Sequence, residues 1–165
     1  MKDNIEILKL LQAKFGEEII STGSSGDIPS VTVASGSLFN VIDFLKNDSE
    51  TSYNFLTDIC GIHYPENDLS LGIIYHMHNL RDNRRIRIKT FVPDSKAEVA
   101  SVTSLFNSAN WMERETYDFY GIIFSGHPDL KRILNVEYLD FFPMRKEYPL
   151  EDPTREDKDN RFFGR

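Results

Sequence analysis

YNFLTDICGIHYPENDLSLGIIYHMHNLRDNRRIRIKTFV, residues 53–92, is the stretch whose reading decides the fold. Three runs rich in β-branched and aromatic residues, Tyr53–His63, Leu69–His78 and Arg85–Val92, are separated by Pro65-Glu66-Asn67-Asp68 and Arg81-Asp82-Asn83-Arg84. Short polar connectors of this kind join neighbouring antiparallel strands. The stretch therefore predicts a meander, and one of its faces needs helices to cover it.

Toward the N-terminus, Ile5, Leu8, Leu11 and Phe15 recur at spacings of three and four, which predicts an amphipathic helix from Asn4 to Phe15 ended by Gly16. Ser21–Gly26 reads as a loop, Ile28–Val33 as a strand, and Ser37 as the N-cap of a helix through Lys46. On the other side, Asp94 or Ser95 is placed to cap a helix whose Val99, Val102 and Phe106 form one stripe, with Leu105 beside them. Helical character resumes from Trp111 to Tyr120, with Gly121 as its stop. The expected class is α+β: two layers, a mixed or antiparallel sheet with a meander covered by helices on one face, and one globular domain over residues 1–135.

Residues 136–165 read differently. Pro143, Pro149 and Pro153 bias the residues before them toward extended geometry, and no period is sustained. Thirty residues reach about 100 Å when fully extended, at ~3.3–3.6 Å each. This arm carries Tyr138, Phe141, Phe142, Tyr148, Phe162 and Phe163, whereas disordered segments are poor in aromatics. Docking of the rings on a partner protein is the favoured expectation, and packing on the chain's own domain the alternative.

The 165 residues, 40% of them apolar, suffice for a real core. A formal charge of −7 argues against a general nucleic-acid binder. No apolar run approaches the roughly 18 residues of a membrane span, so no direct membrane insertion is expected. Cys60 is the single cysteine, which excludes an internal disulfide and a Cys₄ cluster site and fits a reducing cytoplasm.

Catalytic equipment is sparse. Thr22-Gly23-Ser24-Ser25-Gly26 lacks dinucleotide-loop spacing, and no phosphate-binding loop motif occurs. His76 and His78 share one face of a strand, with His63 expected near them across the hairpin; three imidazoles suit zinc, but no H-x-x-x-H or C-x-x-C accompanies them, and satisfied or solvated histidines are the better reading. Arg85, Arg87 and Lys89 alternate with Ile86 and Ile88, making a basic strip that suits solvent or a protein contact better than RNA.

The densest segment is Trp111-Met112-Glu113-Arg114-Glu115-Thr116-Tyr117-Asp118-Phe119-Tyr120-Gly121. On a helix, Glu115 falls among Trp111, Met112 and Phe119, while Arg114 and Asp118 are neighbours at i, i+4. Charges within an apolar face must be paired, since losing one partner of a buried pair costs of order 3–5 kcal/mol. A structural lock is the first reading. The alternative is a small independent enzyme using Glu113 or Glu115 as acid or base.

The run Glu113-Arg114-Glu115-Thr116-Tyr117-Asp118-Phe119-Tyr120-Gly121-Ile122, then Gly126-His127-Pro128-Asp129-Leu130-Lys131-Arg132-Ile133-Leu134, then Pro143-Met144-Arg145-Lys146-Glu147-Tyr148-Pro149, closely resembles the signature of the complex I C-subunit (NuoC, 30-kDa) family. The sequence departs from the commoner pattern before Pro143, where Leu139-Asp140-Phe141 stands in place of Trp-x-Gly. The tail Glu151–Lys158 resembles the Bacteroidetes-type form.

The resemblance implies a non-catalytic, cofactor-free scaffold subunit in the peripheral arm of a proton-translocating NADH:quinone oxidoreductase, on the cytoplasmic side of the cell membrane. FMN, iron–sulfur clusters and quinone would reside in partner subunits, and the contacts would be to a NuoD-like quinone-site subunit and to iron–sulfur subunits. Glu113, Arg114, Glu115, Asp118, Gly121, His127 and Pro128 would be structural, and Phe141, Phe142, Pro143, Arg145, Lys146 and Tyr148 would meet the partner. The equivalent subunit of a membrane-bound hydrogenase or ferredoxin-linked relative is the alternative within the family.

Overall fold

Period-2 alternation and pairing organise the chain, whose computed structural model describes residues 4–149. In chain order the elements are α1 (Asn4–Phe15), β1 (Ile19–Ser25), β2 (Ile28–Val33), α2 (Leu38–Asn47), β3 (Phe55–His63), β4 (Leu71–Asn79), β5 (Arg84–Val92), β6 (Glu98–Ala100), α3 (Ala109–Tyr120) and β7 (Ile123–Ser125). The meander β3–β4–β5 is antiparallel, and β2 joins β5 in parallel to give a five-stranded sheet of order β1-β2-β5-β4-β3. The fold is α+β with a mixed sheet, as its alternation implies.

One face of the sheet is sealed. Ile73, Tyr75 and Met77 of β4 and Ile86, Ile88 and Val92 of β5 point into a cluster completed by Ile7 and Leu11 of α1 and by Leu38, Val41, Ile42 and Leu45 of α2. The other face carries Arg87, Lys89, His76 and Cys60, all half-buried. Burying an aliphatic side chain contributes about 1.5–3 kcal/mol, so the sealed face dominates the stability. Among the described residues no helix is long and apolar enough to cross a membrane.

Several expectations need correction. Ser21–Gly26 is no loop: β1 runs to Ser25, because pairing its backbone with β2 outweighs the weak strand preference of Ser and Gly at an exposed edge. The expected helix after Asp94 is a single 3-10 turn (Asp94–Lys96) followed by β6 and by turns, and Val99, Val102 and Phe106 reach the core from these. Their helical spacing is a coincidence of successive bends. Ile5 faces solvent, the buried stripe of α1 being Ile7 and Leu11. Ser37 ends a 3-10 turn that runs straight into α2, and its side chain makes no capping bond.

The strand β7, paired in parallel with β6, has no counterpart in the sequence reading. Of the expected arm, residues 136–149 are described and contain no helix or strand. The tail Glu151–Lys158, Phe162 and Phe163 lie outside the described residues.

Candidate functional site

The helix α3 stands against β3 because Gly61 leaves room for it. A Cβ there would come within 2.4 Å of the Tyr120 ring. At the other end Gly121 adopts φ +76°, and the Phe142 ring fills the space where its Cβ would be, 2.5 Å away. A residue with a side chain fails at Gly121 twice, by backbone and by space.

Two stripes of α3 are buried, and both carry charge. Ala109, Glu113 and Thr116 form the first. Glu113 is fully enclosed: its Oε1 accepts the Val102 amide at 2.7 Å and its Oε2 the Ser101 hydroxyl at 2.7 Å. Burial pushes the Glu113 carboxyl up to about 7 against the opposing effect of those two bonds. The fully buried Tyr75 hydroxyl is likewise pushed well up, first by burial and then by the Glu113 charge.

Arg114 and Asp118 form the second stripe, yet they do not pair with each other. Arg114 donates to the carbonyls of Lys131 (3.1 Å) and Arg132 (3.2 Å) and lies 5.3 Å from the Trp111 ring. Asp118 Oδ2 accepts the amides of Ile133 (3.1 Å), Leu134 (2.8 Å) and Asn135 (2.9 Å). Its Oδ1 accepts from Arg132 at 2.8 Å and from the Asn135 amide group at 3.1 Å. Burial would raise this carboxyl, but the surrounding donors outweigh burial and hold it well below the usual carboxylate range.

Arg132 is the hub of the following loop. Besides Asp118 it donates to the carbonyls of Leu139 (2.7 Å) and Phe141 (3.0 Å), closing residues 132–141 on one guanidinium. His127 pins the loop's entrance: its Nδ1 accepts the Asp129 amide, so its Nε2 carries the proton donated to the Asn110 carbonyl. Pro128 is exposed beside it.

Glu115 departs from the sequence reading. It is exposed, and so is Trp111, so the buried acids of α3 are Glu113 and Asp118. A helical wheel turns Glu115 inward only if Trp111 faces the core, and Trp111 does not.

The residues expected to meet a partner are spread between two situations. Phe142 packs on Gly121 and Tyr117, and Arg145 donates to the Tyr120 carbonyl at 2.9 Å and pairs with Asp94 at 2.8 Å. The Lys146 amide donates to His63 Nδ1, while the Lys146 side chain is exposed. Phe141 and Pro143 are half-buried; Tyr148 is exposed and its ring lies 4.7 Å from that of Phe141.

The three histidines do not meet. His76 lies opposite Asp58 and His78 opposite Phe55, whereas His63 pairs with Leu71 at the far end of the hairpin. The donors gathered instead are Asp58, Cys60 and His76, with ligand atoms within 4.8 Å of one another. Arg87 Nε donates to His76 Nε2 at 2.9 Å, which leaves the proton on Nδ1, facing Asp58 at 3.9 Å. A metal would need the Nδ1 lone pair, and burial followed by the Asp58 charge raises the Cys60 thiol. His76 Nδ1 has no hydrogen-bond partner among the described residues, so Asp58, Cys60 and His76 are near neighbours that no bond joins.

Sequence reasoning missed Ser101 and Val102, which receive Glu113 from 11 or 12 residues away, and it did not single out Arg132. The only available signal was that two buried carboxylates require donors.

The sequence matches the family described as "Respiratory-chain NADH dehydrogenase, 30 Kd subunit" over residues 31–154. It is 40% identical over 121 residues to the C subunit of NADH-quinone oxidoreductase from Paramagnetospirillum magneticum, covering 73% of this chain and 60% of that one. The same subunit from Methylobacterium sp. 4-46 is 39% identical over 140 residues, 85% of this chain and 65% of that one. Its counterpart from Citrifermentans bemidjiense is 36% identical over 157 residues, 94% and 96%. The chain thus spans less than two thirds of the first two relatives and nearly all of the third.

Among solved structures, the trypsin-resistant fragment (1–134) of Nqo5 superposes with a TM-score of 0.66 at 27% identity, covering 75% of this chain and 98% of that one. A chain of the membrane-bound sulfane sulfur reductase, an archaeal respiratory membrane complex, gives 0.77 at 20% identity over 96% and 98%, a likeness of fold. By its signature helix, its fold and these matches, the chain belongs to the 30-kDa subunit family of respiratory-chain NADH dehydrogenase, complex I.

Proposed function

We propose that this chain is a non-catalytic scaffold subunit in the peripheral arm of a proton-translocating NADH:quinone oxidoreductase, at the cytoplasmic face of the membrane. It binds no flavin, cluster or quinone itself and holds the iron–sulfur subunits and the quinone-site subunit in register, so that electrons pass between cofactors at fixed separations. The observation that carries this reading is where the charges of the signature helix go. Glu113, Arg114 and Asp118 all terminate on this chain's own backbone and side chains. Acid–base catalysis needs a carboxyl within reach of a substrate proton, and Glu113 at 0% exposure has none.

The equivalent subunit of a hydrogenase or ferredoxin-linked complex is the weaker reading, because the relatives of substantial identity belong to NADH-quinone oxidoreductases. Co-purification tests the proposal: the tagged chain, produced together with candidate partner subunits, is expected to bring down the quinone-site and iron–sulfur subunits. A tagged chain that brings down neither overturns it.

A further inference from the structure

The signature helix anchors a loop whose tip has no cover. Asp118 and Arg132 between them hold the backbone at both ends of residues 132–141: the amides of Ile133, Leu134 and Asn135 on one side and the carbonyls of Leu139 and Phe141 on the other. The Leu139 amide closes a turn on the Val136 carbonyl. Backbone polar groups thus face inward, and the apolar side chains point outward. Leu134 is 64% exposed and Tyr138 87% exposed, with Val136 and Ile133 beside them and Trp111 displayed next to the Arg114 clamp. Scattered surface apolars need no explanation, but consecutive ones on a backbone fixed by a buried ion pair do.

We infer that the loop Ile133–Tyr138 is a preformed apolar plug that seats in a hydrophobic groove with a basic rim on the quinone-site subunit. The inference rests on the scaffold reading above and moves the principal contact away from Phe142 and Arg145, which are already engaged within the chain. The chemistry of the partner follows from charge. Glu137 stands within the plug and Asp140 just beyond it; both are exposed, and neither has a partner among the described residues. Arg132, the arginine at the base of the loop, is consumed by Asp118 and two carbonyls. Apolar side chains that share one loop with two exposed carboxylates at its C-terminal side fit lysines or arginines at one edge of the groove. A second copy of this chain fits poorly, since it would bring carboxylates against carboxylates on a protein of net charge −7.

The test uses the full chain co-produced with the quinone-site subunit. Leu134→Asp with Tyr138→Asp alters side chains that stand in solvent, so the melting temperature is expected to hold, as it should for Ile20→Asp on β1, the control. Recovery of the quinone-site subunit is expected to fall about tenfold or more for the double variant and to hold for the control. Glu137→Lys with Asp140→Lys is expected to weaken capture at low salt and to flatten its salt dependence. In the isolated chain, the amides of residues 133–135 are expected to exchange slowly, as a preformed loop requires.

Undiminished capture by the Leu134/Tyr138 variant, beside normal capture by wild type, overturns the plug and leaves the scaffold reading standing. Failure of wild type to bind the quinone-site partner sinks both. A dimer of this chain that the same double variant dissolves assigns the loop to a second copy and overturns the partner named here.

Discussion

Replacing Glu113 by Gln should stabilise this protein at pH 8, although it removes a fully buried residue of the signature. The carboxyl has two donors, the Val102 amide and the Ser101 hydroxyl, and no cation among the described residues. Its folded value of about 7 stands above its ordinary 4.5, so folding favours the protonated form. The sign follows from linkage: stability from this group is fully present below about pH 4.5 and is lost as pH rises to about 7. Each pH unit between the two values is worth about 1.4 kcal/mol, so wild type forfeits roughly 3 kcal/mol by pH 8. Glutamine keeps the shape, accepts the Val102 amide through its oxygen and donates to the Ser101 oxygen. Ser101 can in turn donate to Thr103 Oγ1, 2.8 Å away.

Urea unfolding at pH 5.5, 7 and 8.5 reads the effect. Wild type should lose about 2 kcal/mol across that range relative to Glu113→Gln, the variant being more stable by about 3 kcal/mol at pH 8.5 and by only about 1 kcal/mol at pH 5.5, with the two converging below about pH 4.5. Glu113→Ala should be destabilised by about 2–4 kcal/mol throughout, since it orphans a buried amide and opens a cavity. A wild type and Glu113→Gln that differ by the same amount at every pH, or a variant that loses several kcal/mol at pH 8.5, would refute the reasoning.

Asp118→Ala leaves Arg132 unpaired and frees three amides, and should cost about 3–5 kcal/mol in denaturant unfolding at pH 7 while speeding hydrogen exchange at residues 133–135. Because the Asp118 carboxyl is held below its ordinary range, its contribution is complete above about pH 4 and fades as pH falls below that, so wild type and Asp118→Ala should converge in acid. Gly121→Ala should cost about 2–4 kcal/mol, combining the left-handed backbone with displacement of the Phe142 ring; Phe142→Ala in that background should recover part of the loss.

What the sequence made legible was what repeats locally. The bounds of α1 follow from spacings of three and four, and the meander from alternation cut by polar turns. The strand β1 was hidden because Ser and Gly at an exposed edge are ordered by the β2 backbone rather than by their own preference. The segment after Asp94 misled because Val99, Val102 and Phe106 are buried at helical spacing without forming a helix. At the site, the need for locked charges was readable, but their partners were not. Glu113 is met by Ser101 and Val102, and Asp118 by the 132–135 backbone, contacts that exist only once α3 is docked. Choosing Glu113 over Glu115 required knowing that Trp111 faces outward.

The most direct test of a structural rather than chemical role is turnover per assembled complex with Glu113→Gln and Glu115→Gln together in this chain. A structural role predicts that NADH:quinone electron transfer, divided by the amount of intact complex, stays within about twofold of wild type, because neither carboxyl moves a proton for the reaction. Acid–base catalysis by a side chain contributes about 10²–10⁴-fold, so a fully assembled complex whose turnover drops a hundredfold or more would contradict it.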